Sequence, residues 1–265
     1  MPLKSIRQVV REQGIRPVKR LGQCFLTDSA IMKKIVESAK IQPDDIVVEI
    51  GSGPGLMTAL LAERARHVYA VEIDGRLVAL LKEQLEDYPN VEVIQRDILK
   101  YDFSSATGGS GSGKVKVVGN IPYSISSPIL FRLLEQRQVI ALAVLMMQKE
   151  VADRLCASPG SKAYGIPSVL FGLHAAISPE WTVSPACFYP QPKVTSAVVK
   201  ILFPESPLCA VTDHALFSRL VRTAFSRRRK TLFNNLKSLP EQDCDPRELK
   251  NLLREVEIDE QRRAE

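Results

Sequence analysis

Between Asp45 and Tyr123 the chain repeats one pattern, in which short runs of apolar residues alternate with stretches whose apolar side chains recur at helical spacing. IVVEI (Ile46 to Ile50) leads through GSGPG into LMTALLAERA, HVYAVEI (His67 to Ile73) leads into RLVALLKEQL, and VEVIQ and VKVVG follow. A strand that is apolar throughout has to be covered on both faces, and the intervening helices supply the cover. The pattern therefore predicts an α/β domain with a parallel sheet. A further strand is expected at IALAVLMMQ (Ile140 to Gln148). ISPEWTV and TSAVVKILF read as a closing antiparallel pair, bounded by the Pro-rich FYPQPKV.

After Phe203 the PESP turn changes the texture to short amphipathic helices, DHALFSRLVRTAF, RKTLFNNL and PRELKNLLREV. A boundary near Pro204 to Pro207 divides the chain into residues 1–204 and a smaller helical domain, 205–265. GGSGSG (Gly108 to Gly113) has the composition of a flexible linker. With 265 residues, 45% of them hydrophobic, the chain is long enough for one well-buried domain and an appendage. No apolar run approaches the ~20 residues a membrane helix needs, and the N-terminus lacks a secretory pattern, so a cytoplasmic monomer is expected. The five cysteines (Cys24, Cys156, Cys187, Cys209, Cys244) form no CxxC pair and have only three histidines to join them. Neither a disulfide framework nor a metal site is expected.

Lys and Arg outnumber Asp and Glu by 36 to 30, and the excess is clustered. One cluster holds Lys4, Arg7, Arg11, Arg16, Lys19 and Arg20; the other holds Arg219, Arg222, Arg227, Arg228, Arg229 and Lys230. Such clusters suit a polyanion, although a single charge run is more often a solvated helix face.

A Gly-rich turn after a buried strand is where an α/β sheet takes a nucleotide-like ligand. Here Gly51, Gly53 and Gly55 follow Glu49, but Leu56 stands where a dinucleotide fingerprint needs glycine, and Pro54 has no N–H for a pyrophosphate. A ligand without phosphates fits better. Glu72 ends the second strand 21 residues after Gly51, where its carboxylate can accept from both ribose hydroxyls. Asp97 follows the third strand and can accept from an adenine amino group while Ile98 covers the ring. Either acid alone reads equally as a helix cap. After the fourth strand comes GNIPYSISSP. An Asn–Ile–Pro run can simply turn the chain. It also sets the Asn120 side-chain carbonyl and a backbone carbonyl, at Ile121 or Pro122, where they can accept both N–H bonds of an adenine amine. Its nitrogen is then held pyramidal, with the lone pair available for attack. Pro122 fixes that backbone and Tyr123 can stack on the base.

VVEIGSGPG, AVEID, QRDIL and GNIPYSISSP, together with LGQCFLTD, KAYGIPSVL, FYPQPKVTSAVV and FSRRRKTLFNNL, resemble the ribosomal RNA adenine dimethyltransferase family over nearly the whole chain. The resemblance implies a Rossmann-like class I methyltransferase sheet with an all-helical C-terminal domain. It also implies transfer of methyl groups from S-adenosylmethionine to two adjacent adenosines near the 3′ end of small-subunit (16S) rRNA during subunit assembly. Carried over by position, Gln23, Cys24, Leu26, Gly51, Gly53, Glu72, Ile73, Asp97, Ile98 and Asn120 would contact the cofactor. Asn120, Pro122, Tyr123 and Phe188 would form the catalytic set, with Phe188 and Tyr123 sandwiching the base; on spacing alone Phe188 reads as a core aromatic. Arg222, Arg227, Arg228, Arg229 and Lys230 would contact RNA. Two features depart from the family: Cys24 stands where Asn is usual, and the chain stops at RRAE, where such proteins continue into a last helix. Two other readings share the fold, a large-subunit rRNA adenine methyltransferase and a non-catalytic RNA-binding assembly or transcription factor.

Overall fold

The computed structural model describes residues 14–107, 113–206, 208–240, 245 and 248–265. Lys4, Arg7, Arg11, Cys244 and most of GGSGSG lie outside them. The nine strands among the described residues are β1 (Phe25–Leu26), β2 (Ile46–Ile50), β3 (His67–Glu72), β4 (Val91–Gln95), β5 (Val115–Asn120), β6 (Ile140–Gln148), β7 (Ala176–Val183), β8 (Phe188–Tyr189) and β9 (Ser196–Leu202). Seven form one sheet in the order β4-β3-β2-β5-β6-β9-β7. The first five run parallel, and β9 is antiparallel to both β6 and β7. The apolar runs are strands because the sheet is covered on both sides: Val47, Val48, Val117, Val118 and Val144 are fully buried. ISPEWTV and TSAVVKILF close the sheet as an antiparallel pair, with an irregularity between Pro179 and Trp181 where proline cannot donate to the ladder.

Chain order reverses between β2 and β5: the chain passes from β2 to β3 and β4 on one side, and β5 then returns to pair with β2 on the other. In such a sheet the crevice beyond the carboxyl ends of these two strands is the natural ligand site. Two helices flanking it start on acidic caps. Asp28 accepts from Ala30 N and Ile31 N at the head of Ser29–Ser38, and Asp74 accepts from Arg76 N at the head of Gly75–Gln84. Their inner faces bury Met32, Ile35 and Val36, and Leu77, Val78, Leu80 and Leu81. Apart from the main sheet, β1 and β8 form a two-stranded ribbon, pairing Phe25 with Tyr189 and Leu26 with Phe188.

By internal contacts the chain divides into two compact units. One comprises the residues up to Ala152 with Ala176–Glu205, and the other Asp153–Ala175 with Ser206–Glu265. The sequence break near Pro204 lies where the first passes to the second. Residues 153–175, which a division into consecutive segments leaves with the sheet, group with the helices instead. The helix Ile166–His174 packs on His214–Ala224, and Leu208 N donates to Leu173 O. An amphipathic helix goes where its apolar face finds a partner, and chain order does not decide that. The second unit has a small core of its own, Leu236, Leu239, Leu249 and Leu253.

Gly119 marks the tightest approach in the sheet. It pairs with Ile50, and a Cβ there would come within 2.8 Å of the Ile50 carbonyl oxygen. Gly119→Ala is expected to force β2 and β5 apart and to destabilise the protein by roughly 1–3 kcal/mol. Urea unfolding checks it: an unchanged midpoint would mean that the strands yield without cost.

Candidate active site

A cavity of about 220 Å³ opens at the carboxyl edge of the sheet, beyond β2, β3 and β5. Gln23, Cys24, Gly51, Gly53, Glu72, Ile73, Asp97, Ile98, Asn120 and Pro122 all line it, drawn from five separate stretches of sequence. Leu26 does not. It is buried behind the rim and faces a smaller adjoining cavity with Glu49 and Ser52. Phe188 is not brought to the cavity either: its ring is 1% exposed and packs in the core beside β1. Phe25, Arg96 and Ser124 line the cavity without having been singled out from the sequence, and Arg20, read there only as part of a basic cluster, lines it as well.

The Gly-rich turn is built to be a wall. Gly51 and Gly53 have φ of +68° and +56°, a region that favours glycine. Their N–H groups are satisfied inside the protein: Gly51 donates to Val71 O, Gly53 to Glu72 Oε2 and Gly55 to Ser52 O. With Pro54 contributing none, these groups leave no ring of donors for a phosphate, in keeping with a ligand that lacks one.

Glu72 is the hub. It is 6% exposed and accepts three backbone N–H groups, from Gly53 (3.1 Å), Ile73 (2.9 Å) and Asp74 (2.9 Å). Burial raises its pKa, and those three donors oppose the rise. A carboxylate offers about four acceptor positions, so one remains for the cavity. Beside it Asp74 is held down to about 2 by the Arg76 guanidinium, which grips both of its oxygens. Gln23 lines the cavity with both ends of its amide engaged, donating to Asp74 Oδ2 and accepting from Val18 N, and so ties residues 18–23 across the opening. Asp97 caps the turn Ile98–Lys100, accepting from Leu99 N through Oδ1. Its cap role and its place on the cavity coexist.

At the end of β5, Asn120 Nδ2 donates to Cys24 O at 2.8 Å. A backbone carbonyl can only accept, so this bond fixes which end of the amide faces which way and leaves Oδ1 as the end available to a ligand. Cys24 therefore contributes through its carbonyl, which any residue would supply. Pro122 O already accepts from Ile125 N and Ser126 Oγ. Of the two backbone acceptors considered from sequence, that leaves Ile121 O.

Glu49, read from sequence only as part of the glycine motif, carries more weight than that. It is fully buried, its Oε2 accepts from Thr58 Oγ1, and its Oε1 has no hydrogen-bond partner. Burial pushes its carboxyl up to about 7 against the opposing hydroxyls of Thr58 and the nearby Ser52. The signal was available in sequence, as an acid inside an otherwise apolar strand.

In the second unit Arg222, Arg227, Arg228, Arg229 and Lys230 are all exposed. Asn235, 2% exposed, donates through Nδ2 to Ala224 O and Arg227 O and so holds the basic turn against its helix. Arg228 is engaged within the unit by Glu265 and the Lys162 carbonyl. Of the N-terminal cluster, Arg16, Lys19 and Arg20 are described, all exposed. Among the described residues no helix is long and apolar enough to cross a membrane, and no group of three His, Cys, Asp or Glu side chains could hold a metal ion.

A mixed sheet of this order, with acids and glycines gathered at its switch point, defines a Rossmann-like class I methyltransferase fold. The sequence matches the family described as ribosomal RNA adenine dimethylase over residues 16–265. It is 63% identical over 260 residues to the ribosomal RNA small subunit methyltransferase A of Syntrophus aciditrophicus (strain SB), covering 98% of this chain and 93% of that protein. The protein of the same name from Geobacter metallireducens is 46% identical over 229 residues, covering 86% and 83%. Among solved structures, a dimethyladenosine transferase from Plasmodium falciparum is similar with a TM-score of 0.73 at 34% identity, over 89% of this chain and 82% of that one. The 23S rRNA methyltransferase ErmE is similar with a TM-score of 0.67 at 28% identity, over 89% and 91%. The chain belongs to the ribosomal RNA adenine dimethylase family and is an rRNA adenine methyltransferase.

The raised pKa of Glu49 makes stability depend on pH in a stated direction. With a folded value of about 7 against an ordinary 4.5, the folded state binds this proton more tightly than the unfolded chain does. The resulting stabilisation is fully present below about 4.5 and is lost as pH rises through 7, on the order of 3 kcal/mol in all. Glu49→Gln keeps the shape without the charge. Its melting temperature should therefore rise relative to wild type between pH 5 and 8, measured without cofactor. A pH-independent difference would contradict the buried, protonated carboxyl.

Proposed function

We propose that this chain transfers methyl groups from S-adenosylmethionine to the exocyclic amines of two adjacent adenosines near the 3′ end of small-subunit (16S) rRNA, in the cytoplasm, during ribosome biogenesis. The observation that carries the reading is the Asn120 amide, whose nitrogen is tied to Cys24 O and whose oxygen is left for a ligand N–H. The small-subunit assignment draws on the 63% identity to a protein named for that subunit.

The residues present fit the cofactor. One of its ribose hydroxyls suits the remaining acceptor position of Glu72, and its adenine suits Asp97 with Ile73 and Ile98 on the ring faces. Its ammonium suits Glu49, whose buried carboxyl holds a proton for want of a cationic partner and would give it up on gaining one. Gln23, Cys24, Gly51 and Gly53 shape the enclosure, and Leu26 backs it from the adjoining smaller cavity. When bound, S-adenosylmethionine supplies a methyl group activated by its positively charged sulfur.

The protein's part is orientation. Adenine's amine is a poor nucleophile because its lone pair is delocalised into the ring. Asn120 Oδ1 and Ile121 O accept its two N–H bonds, favour the pyramidal nitrogen and point the lone pair at the donor; Pro122 holds the backbone for this. The amine becomes acidic once it attacks, so its proton can leave to water without a strong base. Tyr123 provides the stacking face for the base. Neither Tyr123 nor Phe188 lines the cavity; Phe188 is buried in the core, and Tyr123, next to the cavity-lining Pro122 and Ser124, is the ring this reading relies on. Residues 205–265, a helical domain in this reading, contact RNA: Arg222, Arg227, Arg229 and Lys230 bind phosphates and position the substrate without reading bases, and Arg228 joins them on release from Glu265.

The test uses undermethylated small subunits and, separately, large subunits with labelled S-adenosylmethionine. Label is expected in small-subunit RNA; label confined to large-subunit RNA would favour the ErmE-like alternative. With cofactor saturating, Asn120→Ala is expected to lower single-turnover methyl transfer on the order of 10²-fold with RNA binding nearly unchanged. Methylation by Asn120→Ala at the wild-type rate would remove its proposed role, and wild-type protein that binds rRNA without methylating it would favour the non-catalytic reading.

A further inference from the structure

The parallel strands β2, β3, β5 and β6 all end at the edge where the cavity lies. β9 runs the other way, so it begins there. Ser196, its first residue, pairs with Gln148, the last of β6, while Asn120, the last of β5, pairs with Met146. An antiparallel strand thus delivers its first side chain to the level of the Asn120–Tyr123 element. The strand start is pinned, because Lys149 N donates to Thr195 O at 3.0 Å.

Ser196 is fully buried, and its neighbours Ala197, Val198 and Val199 are apolar core. A hydroxyl in such a place is unfavourable unless it is hydrogen-bonded. Its partner is the Tyr123 hydroxyl, 2.5 Å from Ser196 Oγ and 73 residues away in sequence. The bond matters for the ring. Rotation of a tyrosine ring about χ2 is broad, so rotamer preference alone does not fix its plane. The phenolic oxygen lies on the χ2 axis, so a hydrogen bond at that far end fixes the position and direction of the ring's long axis rather than its rotation. Burial raises the Tyr123 pKa, so the phenol stays neutral and the two hydroxyls share one proton-bearing contact without a charge.

We propose that Ser196 is a positioning residue for methyl transfer: its hydroxyl anchors the phenolic oxygen of Tyr123 and holds the ring in the place where the target base stacks. The proposal rests on the reading of Tyr123 as the stacking ring. It gives the TSAVV segment a function beyond closing the sheet, and it makes the order of β9 before catalysis part of the site's assembly.

The test removes the bond from each end. Ser196→Ala and Tyr123→Phe should each slow single-turnover methylation of undermethylated small subunits roughly three- to tenfold, the scale of one hydrogen bond, with S-adenosylmethionine affinity unchanged. Combined, they should slow it no further than either alone, because both delete the same interaction. Tyr123→Phe leaves the ring's shape intact, so it keeps the test decisive if Ser196→Ala unfolds. A wild-type rate in Tyr123→Phe, or additive losses in the double variant, would overturn the proposal. Tyr123→Ala separates the two layers: if it too is fast, Tyr123 is not the stacking ring, whereas if it is slow and Tyr123→Phe is fast, stacking stands and only the Ser196 role is lost.

Discussion

The carboxylate of Glu72 ties three backbone N–H groups from two strand ends into one point, and the cavity exists in its present form because of it. Gly53 belongs to the turn after β2, and Ile73 and Asp74 to the end of β3. Without a buried acceptor between them these donors would be orphaned at the head of the sheet. The cost of burying the charge is visible in its raised pKa, and the backbone bonds offset it. One acceptor position of the carboxylate is left beside the cavity that Glu72 lines.

Asn120 repeats the logic with an amide. One end is committed to Cys24 O, which decides what the other end presents. In each case a polar group is oriented by a protein bond that the ligand does not have to make, which is the physical content of preorganisation. The N-terminal residues take part in this. Gln23 bonds to Asp74 and Cys24 to Asn120, so residues 20–25 supply one wall of the cavity even though β1 is only two residues long.

Much of this was legible in the sequence. The strands β2, β5 and β6 stand out because burial makes them largely apolar, whereas the edge strand β4 (VEVIQ) is partly exposed, and the acids and glycines at the strand ends stand out against that background. What escaped depended on tertiary partners. β1 and β8 are too short to show a period. The helix Ile166–His174 lies between two strands of the sheet in sequence but packs on a helix that begins forty residues after it ends. Phe188, placed at the base by family resemblance, is buried in the core, as its spacing alone suggested. Ser196 carries no local signal at all: its meaning appears only once β9 is known to run antiparallel and to start at the catalytic edge. Glu49 was the exception, since an acid within IVVEI is visible in the sequence as a break in an apolar run.

The central claim, that the Asn120 amide is set to receive adenine's amine, is tested most directly by a crystal structure of the protein with S-adenosylhomocysteine and an adenosine-containing RNA fragment. The account predicts that Asn120 Nδ2 still donates to Cys24 O while Oδ1 accepts from the adenine amine, about 2.7–3.2 Å away. A complex in which the amide has turned to offer Nδ2 to the base, or in which the amine lies outside reach of Asn120, would contradict it.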